Sequence, residues 1–224
     1  MDYGFVRGSD WSRKENDGIF VTRSVDKYRS YLLVIDRHTC YIWIYLTKYK
    51  HPPIEQVSGT DRGGELASSF AFQKLIDSSN YILRVTGSYA SAQNGMGEKP
   101  NRDLAQTMRC LLYSAGLGSQ FWSYALRHAV YLNNRRPHTS LQNKTPYEMV
   151  NGTQPNLSHL RVFGSIVHIK SKAKRYMKLD KISSEGLFMT YTGTDKIIYV
   201  VDKDGSNEHT CTHYAFDEAH ISSN

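Results

Sequence analysis

Past Pro155 the chain stops offering helical patterns and turns to short β-type runs, and that change of texture most restricts what it can fold into. Residues 160–163 with 166–169, then 187–191, 197–201 and 211–216, are rich in β-branched and aromatic side chains and are divided by Gly, Asp, Lys and Ser turns. Several short strands at such spacing predict a small all-β barrel. Upstream the pattern is mixed. Residues 31–35 and 41–46, separated by the polar turn Asp36-Arg37-His38-Thr39, read as a hairpin. His51-Pro52-Pro53 breaks the chain, and a helix begun there meets Gly59 and the turn Asp61-Arg62-Gly63-Gly64 almost at once.

Residues 68–76 suit a short helix and 81–85 a strand, before a Gly, Ser, Ala and Asn-rich loop over 87–97. Glu98 then opens the longest helical pattern, with Leu104, Met108, Leu111 and Ala115 at three- and four-residue spacing and Gly116 as its stop. A second helix is expected over 120–133, with Phe121, Ala125, Ala129 and Leu132 on one face, ended by Arg135-Arg136-Pro137; Arg135 and Arg136 suit its C-terminal end. With 224 residues, 40% of them hydrophobic, the chain can bury a sizeable core, and the texture change puts a domain boundary near 152–158. The expectation is a mixed α/β domain over 1–152 followed by a β-barrel over 159–222.

Charge narrows the partners. Lys and Arg number 28 against 21 Asp and Glu, a net +7 that favours a polyanion over an acidic substrate without requiring one. The excess lies in residues 1–155, with 19 basic and 13 acidic side chains; residues 156–224 are nearly balanced at 9 and 8. Cys40, Cys110 and Cys211 are odd in number and far apart, so buried thiols in a reducing compartment are expected, with no disulfide and no zinc site. No apolar run approaches the roughly 20 residues of a membrane span and no leader pattern opens the chain, so an intracellular location is expected.

A strand with an early Asp, a Gly-rich turn with a second Asp, and a Glu before a basic helix is the order needed to gather three carboxylates. Such a cluster suits two divalent metals, because Mg²⁺ wants anionic oxygen ligands and leaves positions open for phosphate oxygens. Solvated carboxylates would show the same spacing, so the order alone does not choose.

The residues around each acid carry more. Asp61-Arg62-Gly63-Gly64-Glu65-Leu66 resembles the second-aspartate motif of copia-type retrotransposon integrases, and Glu98 lies 37 residues on. Its surroundings, Gln93-Asn94-Gly95-Met96-Gly97-Glu98-Lys99-Pro100-Asn101-Arg102, resemble the family's third-carboxylate motif. The likeness continues through Ala115-Gly116-Leu117, Phe121-Trp122, Asn134-Arg135, Thr145-Pro146-Tyr147-Glu148 and Leu160-Arg161-Val162-Phe163-Gly164.

That resemblance implies an RNase H-like core, a mixed sheet with flanking helices, followed by an SH3-like barrel. It implies Asp2, Asp61 and Glu98 as catalytic metal ligands for Mg²⁺ or Mn²⁺, acting on DNA as transposon ends and target, in homo-oligomers and in the nucleus. Asp2, in Met1-Asp2-Tyr3-Gly4-Phe5, resembles the first aspartate; its rival is Asp36, otherwise a turn residue. Gln93 and Asn94, with Gly95, would form a flexible loop beside the scissile phosphate. Asp61 could instead be an ordinary turn acid, and Glu98 a helix-start acid favoured by the macrodipole.

Lys99, Arg102 and Arg109 recur at three- and seven-residue steps, so they share one helix face that could track a DNA backbone; the plainer reading is a solvated face opposite Leu104, Met108 and Leu111. The 16 tyrosines and Trp43 and Trp122 sit in apolar runs and read as core. His128, His138, His168 and His213 lack metal-ligand spacing and read as surface or satisfied core histidines.

Two departures from the family pattern bear on activity. Only the 13 residues 48–60 separate Thr47 from Asp61, whereas a helix of about 10–12 residues and a strand of about 5–6 are needed there. An internal deletion near 57–60 that removes one helix and one strand is therefore expected. Asp2 has one residue before it and the family's zinc-binding segment does not precede it, so a weakened first strand is also expected. Metal catalysis needs ligands held to a fraction of an ångström. The reading is a degenerate polynucleotidyl transferase for DNA integration, with a catalytically silent nucleic-acid-binding remnant or a protein-interaction module as alternatives.

Overall fold

A computed structural model describes residues 2–5, 24–36, 38–48, 91–170, 183–192, 194–203 and 205–221. Three antiparallel strands, β1 (Asp2–Phe5), β2 (Ser30–Ile35) and β3 (Ile42–Thr47), form a sheet in that order. The helices α1 (Ser91–Ser114), α2 (Trp122–Arg135) and α3 (Pro146–Asn151) follow. Then come β4 (Ser165–Lys170), β5 (Ser183–Thr192), β6 (Thr194–Val201), β7 (Glu208–Cys211) and β8 (Tyr214–Ile221). These five are antiparallel in the order β7-β6-β5-β4-β8, so the last strand returns to lie beside the first. The class is mixed α/β.

The hairpin forms where alternation places it. Asp36 accepts from the backbone N–H of Thr39 at 3.0 Å and from its hydroxyl at 2.6 Å, closing the turn, and these bonds hold its carboxyl below the usual range. Alternation then divides the sheet: Tyr31, Leu33, Ile42, Ile44 and Leu46 face the helices. From α1 come Leu104, Met108 and Leu112, with Ala115 just past its end, the stripe that the sequence marks with Leu111 in place of Leu112. The stop at Gly116 is a paired cap: Gly116, at φ +64°, donates to Tyr113 at 3.1 Å, and Leu117 donates to Leu112 at 2.9 Å.

Helix α2 is the centre of the molecule. One side packs on the three-stranded sheet and α1, the other on Leu187, Met189 and Val201 of the five-stranded sheet, so Trp122, Tyr124, Ala125, Leu126, His128, Ala129 and Val130 are all buried. A helix buried nearly all round cannot show a clean single stripe. The opposite face of the five-stranded sheet encloses Val167, Ile169, Phe188, Tyr191, Ile198 and Val200. Gly164, at φ +81°, lets the chain enter β4: a Cβ there would come within 2.5 Å of the Ala115 Cβ. Helix α3 is started by Thr145, whose hydroxyl accepts from the Glu148 N–H at 3.0 Å with Pro146 in the first turn, and it stops at Gly152 (φ +70°).

Several expectations change. The loop expected over 87–97 is helical from Ser91 onward, so Gln93, Asn94 and Gly95 lie in α1 and Glu98 stands well inside it rather than at its start. Small and polar residues there suggested a loop, but a helix can absorb them when its later turns are anchored in a core. Residues 160–162 are irregular and the chain turns at 163–164 before β4, in place of the strand expected over 160–163, and the run 211–216 divides between β7 and β8 around residues 212–213. Cys110 is exposed, not buried. The expected helix over 68–76, the strand over 81–85 and the gap before Asp61 lie outside the described residues.

Candidate functional site

Asp2 and Glu98 lie on neighbouring elements. Asp2 pairs with Leu33 and Gly4 with Tyr31 across β1 and β2, and β1 lies against α1. The Tyr31 hydroxyl donates to the Asn101 side-chain oxygen at 2.8 Å, and Asn101 is one helical turn beyond Glu98. The partners of Asp2 and Gly4 in this register, Leu33 and Tyr31, belong to the helix-covered face. Asp2 is thus a paired backbone position. Asp61 lies outside the described residues, and among those described no group of three His, Cys, Asp or Glu could hold a metal ion. Asp36 closes its turn at the other end of β2 from Tyr31.

The solvent side of α1 carries the basic residues. Lys99, Arg102 and Arg109 are all exposed, opposite Leu104, Met108 and Leu112, and the Arg109 Nε donates back to the Ala105 carbonyl at 3.3 Å. Gln106 and Tyr113 share that face, whereas Asp103 is half-buried beside it. Gln93 and Asn94 precede it in the same helix. Pro100, in the interior of α1, has no N–H to give the carbonyl four residues back, so the helix lacks one hydrogen bond there.

Sequence reasoning missed a polar cluster at the C-terminal end of α2. The Arg135 guanidinium lies 3.5 Å from the Tyr131 ring centroid and 4.7 Å from that of Tyr147, and its Nη2 reaches Asp195 at 3.2 Å. The Tyr131 hydroxyl donates to Asp195 at 2.6 Å and stands 2.6 Å from His159 Nε2. A phenol has one proton, so once it is given to Asp195, the His159 Nε2–H must be the other donor, leaving Nδ1 an acceptor. That Nδ1 and the Arg135 Nε are buried without hydrogen-bond partners. Burial pushes the His159 imidazole down, against the pull of Asp195, and pushes the Tyr131 phenol up.

At the other end of α2 the Tyr124 hydroxyl donates to Glu208 at 2.7 Å, while Arg127 lies over the rings of Tyr28, Tyr124 and Tyr199. Asp26 holds the hydroxyls of Ser24 and Ser123 nearby. These groups tie α2 to β6 and β7; none brings a nucleophile and a base to an open surface. Their spacing in sequence, with separations of 60 between Arg135 and Asp195 and 84 between Tyr124 and Glu208, carries no local pattern that could have announced them. Arg135, expected as a helix-end cap, does approach the Tyr131 carbonyl at 3.5 Å, but its main partner is Asp195. His128 is buried among Phe163, Phe188, Tyr131 and Tyr191 with its Nδ1 unpartnered, so it is not the satisfied core histidine expected, and burial lowers it to about 4.

No protein-family model matches the chain. It is 30% identical over 213 residues to the retrovirus-related Pol polyprotein from transposon RE1 of Arabidopsis thaliana, covering 87% of this chain and 14% of that one. The corresponding polyprotein from transposon RE2 of the same plant is 29% identical over 217 residues, with 87% and 14% covered. That from transposon TNT 1-94 of Nicotiana tabacum is 28% identical over 178 residues, with 72% and 13% covered. A chain from the simian T-cell lymphotropic virus intasome in complex with the PP2A regulatory subunit B56 gamma superposes with a TM-score of 0.47 at 12% identity, over 83% of this chain and 72% of that chain. The chain therefore spans about one seventh of the curated relatives it matches. It belongs among the retrovirus-related Pol polyproteins of copia-type transposons, as one segment of their length.

Proposed function

We propose that this segment is the DNA-integration body of its polyprotein, an RNase H-like core over 1–152 with an SH3-like barrel over 159–222, and that its strand-joining chemistry is attenuated. The observation that carries the reading is the adjacency of β1, which bears Asp2, to the helix that bears Glu98, through the Gly4–Tyr31 pairing and the Tyr31–Asn101 bond. The return of β8 to the side of β4 supports the barrel.

In this reading Asp2, Asp61 and Glu98 are the metal ligands. Carboxylate oxygens suit Mg²⁺ or Mn²⁺, which when bound supplies Lewis-acid stabilisation of charge at phosphorus. The chain's own contribution is placement: the β2–β3 hairpin supports β1, Tyr31 holds α1 against the sheet, and Lys99, Arg102 and Arg109 neutralise a DNA backbone beside it. Gln93 and Asn94 approach the same DNA from within α1. The short stretch before Asp61 is the source of the attenuation. The partners are transposon ends and target DNA, bound by homo-oligomers, with the nucleus as the place of action. No helix among the described residues is long and apolar enough to cross a membrane.

The test incubates the purified chain with a 3′-hydroxyl DNA end, target DNA and Mg²⁺ or Mn²⁺. Weak joining that Glu98→Gln abolishes is the expected result. Salt-sensitive DNA binding that survives Glu98→Gln, with no joining at any metal concentration, establishes instead the silent binding remnant. Failure to retain DNA even at low salt sinks both and leaves a protein-interaction module.

A further inference from the structure

Tyr113 stands out on the surface of α1. It is 91% exposed, and it is the one exposed tyrosine among the residues whose side chains are described. An aromatic ring left in water gains nothing from folding, because its large apolar area contributes to stability only when covered. Helical geometry sets it on the same face as Lys99, Arg102, Gln106 and Arg109, all exposed. Glu98 lies one turn before Arg102 at the start of that face, and Asp103 is half-buried beside it.

We propose that Tyr113 is a stacking platform for the base of an unpaired nucleic-acid strand whose phosphates run along Lys99, Arg102 and Arg109. The inference rests on the DNA-binding reading above and narrows its substrate to a strand with at least one unpaired base. From Lys99 to Tyr113 the helix rises about 21 Å, about six nucleotides at the roughly 3.4 Å rise of a stacked strand and fewer of an extended one. Cations followed by an aromatic ring on one line are the two components that single-strand binding uses: charge along the backbone and a π-face for a base. A duplex interior offers its phosphates to the cations but no open base face to the ring. A second copy of the chain is the poorer occupant, since pairing this face with itself would set cation against cation.

The full chain is titrated against a labelled oligothymidylate and a labelled duplex of matched length. Tyr113→Ala should weaken the single strand about fivefold or more and leave the duplex within about twofold, while Tyr113→Phe keeps both. Arg102→Ala and Arg109→Ala should weaken both probes, each lowering the salt slope by roughly 0.7 to 0.9. The proposal is overturned if Tyr113→Ala leaves the single strand unchanged, weakens both probes equally, or changes the sedimentation of the free protein without changing affinity for DNA. If the arginine variants act and Tyr113→Ala does not, the stacking role falls and the DNA-binding reading stands; if neither probe is held at low salt, both fall.

Discussion

The Asn134 carboxamide makes both hydrogen bonds that a neighbouring strand would make with Ile42. Its Oδ1 accepts from the Ile42 N–H at 2.9 Å and its Nδ2 donates to the Ile42 carbonyl at 2.8 Å. Ile42 opens β3, the outer strand of its sheet, so one side chain of α2 satisfies an edge that would otherwise present unpaired groups. Asn134 is buried, and the bond pair locks the register between α2 and the sheet.

Asn134→Ala should therefore cost more than an ordinary surface change. Two backbone groups lose their partners in a buried setting, for a loss of about 2–4 kcal/mol. Urea unfolding of the full chain measures it, and a loss below about 0.5 kcal/mol would show that water replaces the carboxamide.

Gly164→Ala should destabilise by about 1–3 kcal/mol, because the new methyl would meet the Ala115 Cβ at 2.5 Å in a backbone conformation already at φ +81°. Ala115→Gly should restore part of that loss when combined with it. Purely additive effects in the double-mutant cycle would mean that the two residues do not press on each other.

Acid should weaken the protein through His128. Its folded value of about 4 lies below the ordinary imidazole value of 6.5, with burial as the cause, so the folded state holds fewer protons than the unfolded one between those values. The contribution is fully present above about pH 6.5 and is lost as pH falls towards 4, to a total of about 3 kcal/mol. Thermal melts of the parent and His128→Leu from pH 7.5 to pH 4 provide the check. A parent and variant with the same pH dependence would remove His128 as the cause.

The five-stranded sheet and the helices should unfold together. Leu187, Met189 and Val201 share a core with α2, and Tyr124–Glu208 and Arg135–Asp195 tie both ends of that helix to the sheet. Met189→Asp places a charge in that core and should cost more than about 3 kcal/mol. Tryptophan fluorescence, to which buried Trp122 of α2 contributes beside Trp11 and Trp43, and far-UV circular dichroism should then shift by equal amounts in urea. Two separated transitions would show that the parts fold independently.

Elements whose evidence is local were legible. The β2–β3 hairpin, the core stripe of α1, its Gly116 stop and the extent of α2 to within two residues follow from periodicity and turn chemistry, which act over a few neighbours. Where several local readings were open, burial and anchoring chose. The first turns of α1 look like a loop because Gly95 and Gly97 are poor helix formers, yet the helix extends through them. Residues 160–163 have strand composition but form no strand, and the chain reaches β4 only after Gly164 has passed closely by Ala115.

The sequence by itself determined the family, the order of the candidate carboxylates and the basic face of α1, because motif text and helical spacing are properties of neighbours along the chain. Only the tertiary structure decided that Asp2 has a paired backbone position beside the helix of Glu98, that Tyr113 is left in water on the basic face while Tyr31 and Tyr124 are buried, and that α2 is held from both sides. Those outcomes depend on which surfaces meet across separations of tens of residues, and the free energy of such meetings comes from desolvation and pairing that no local window contains.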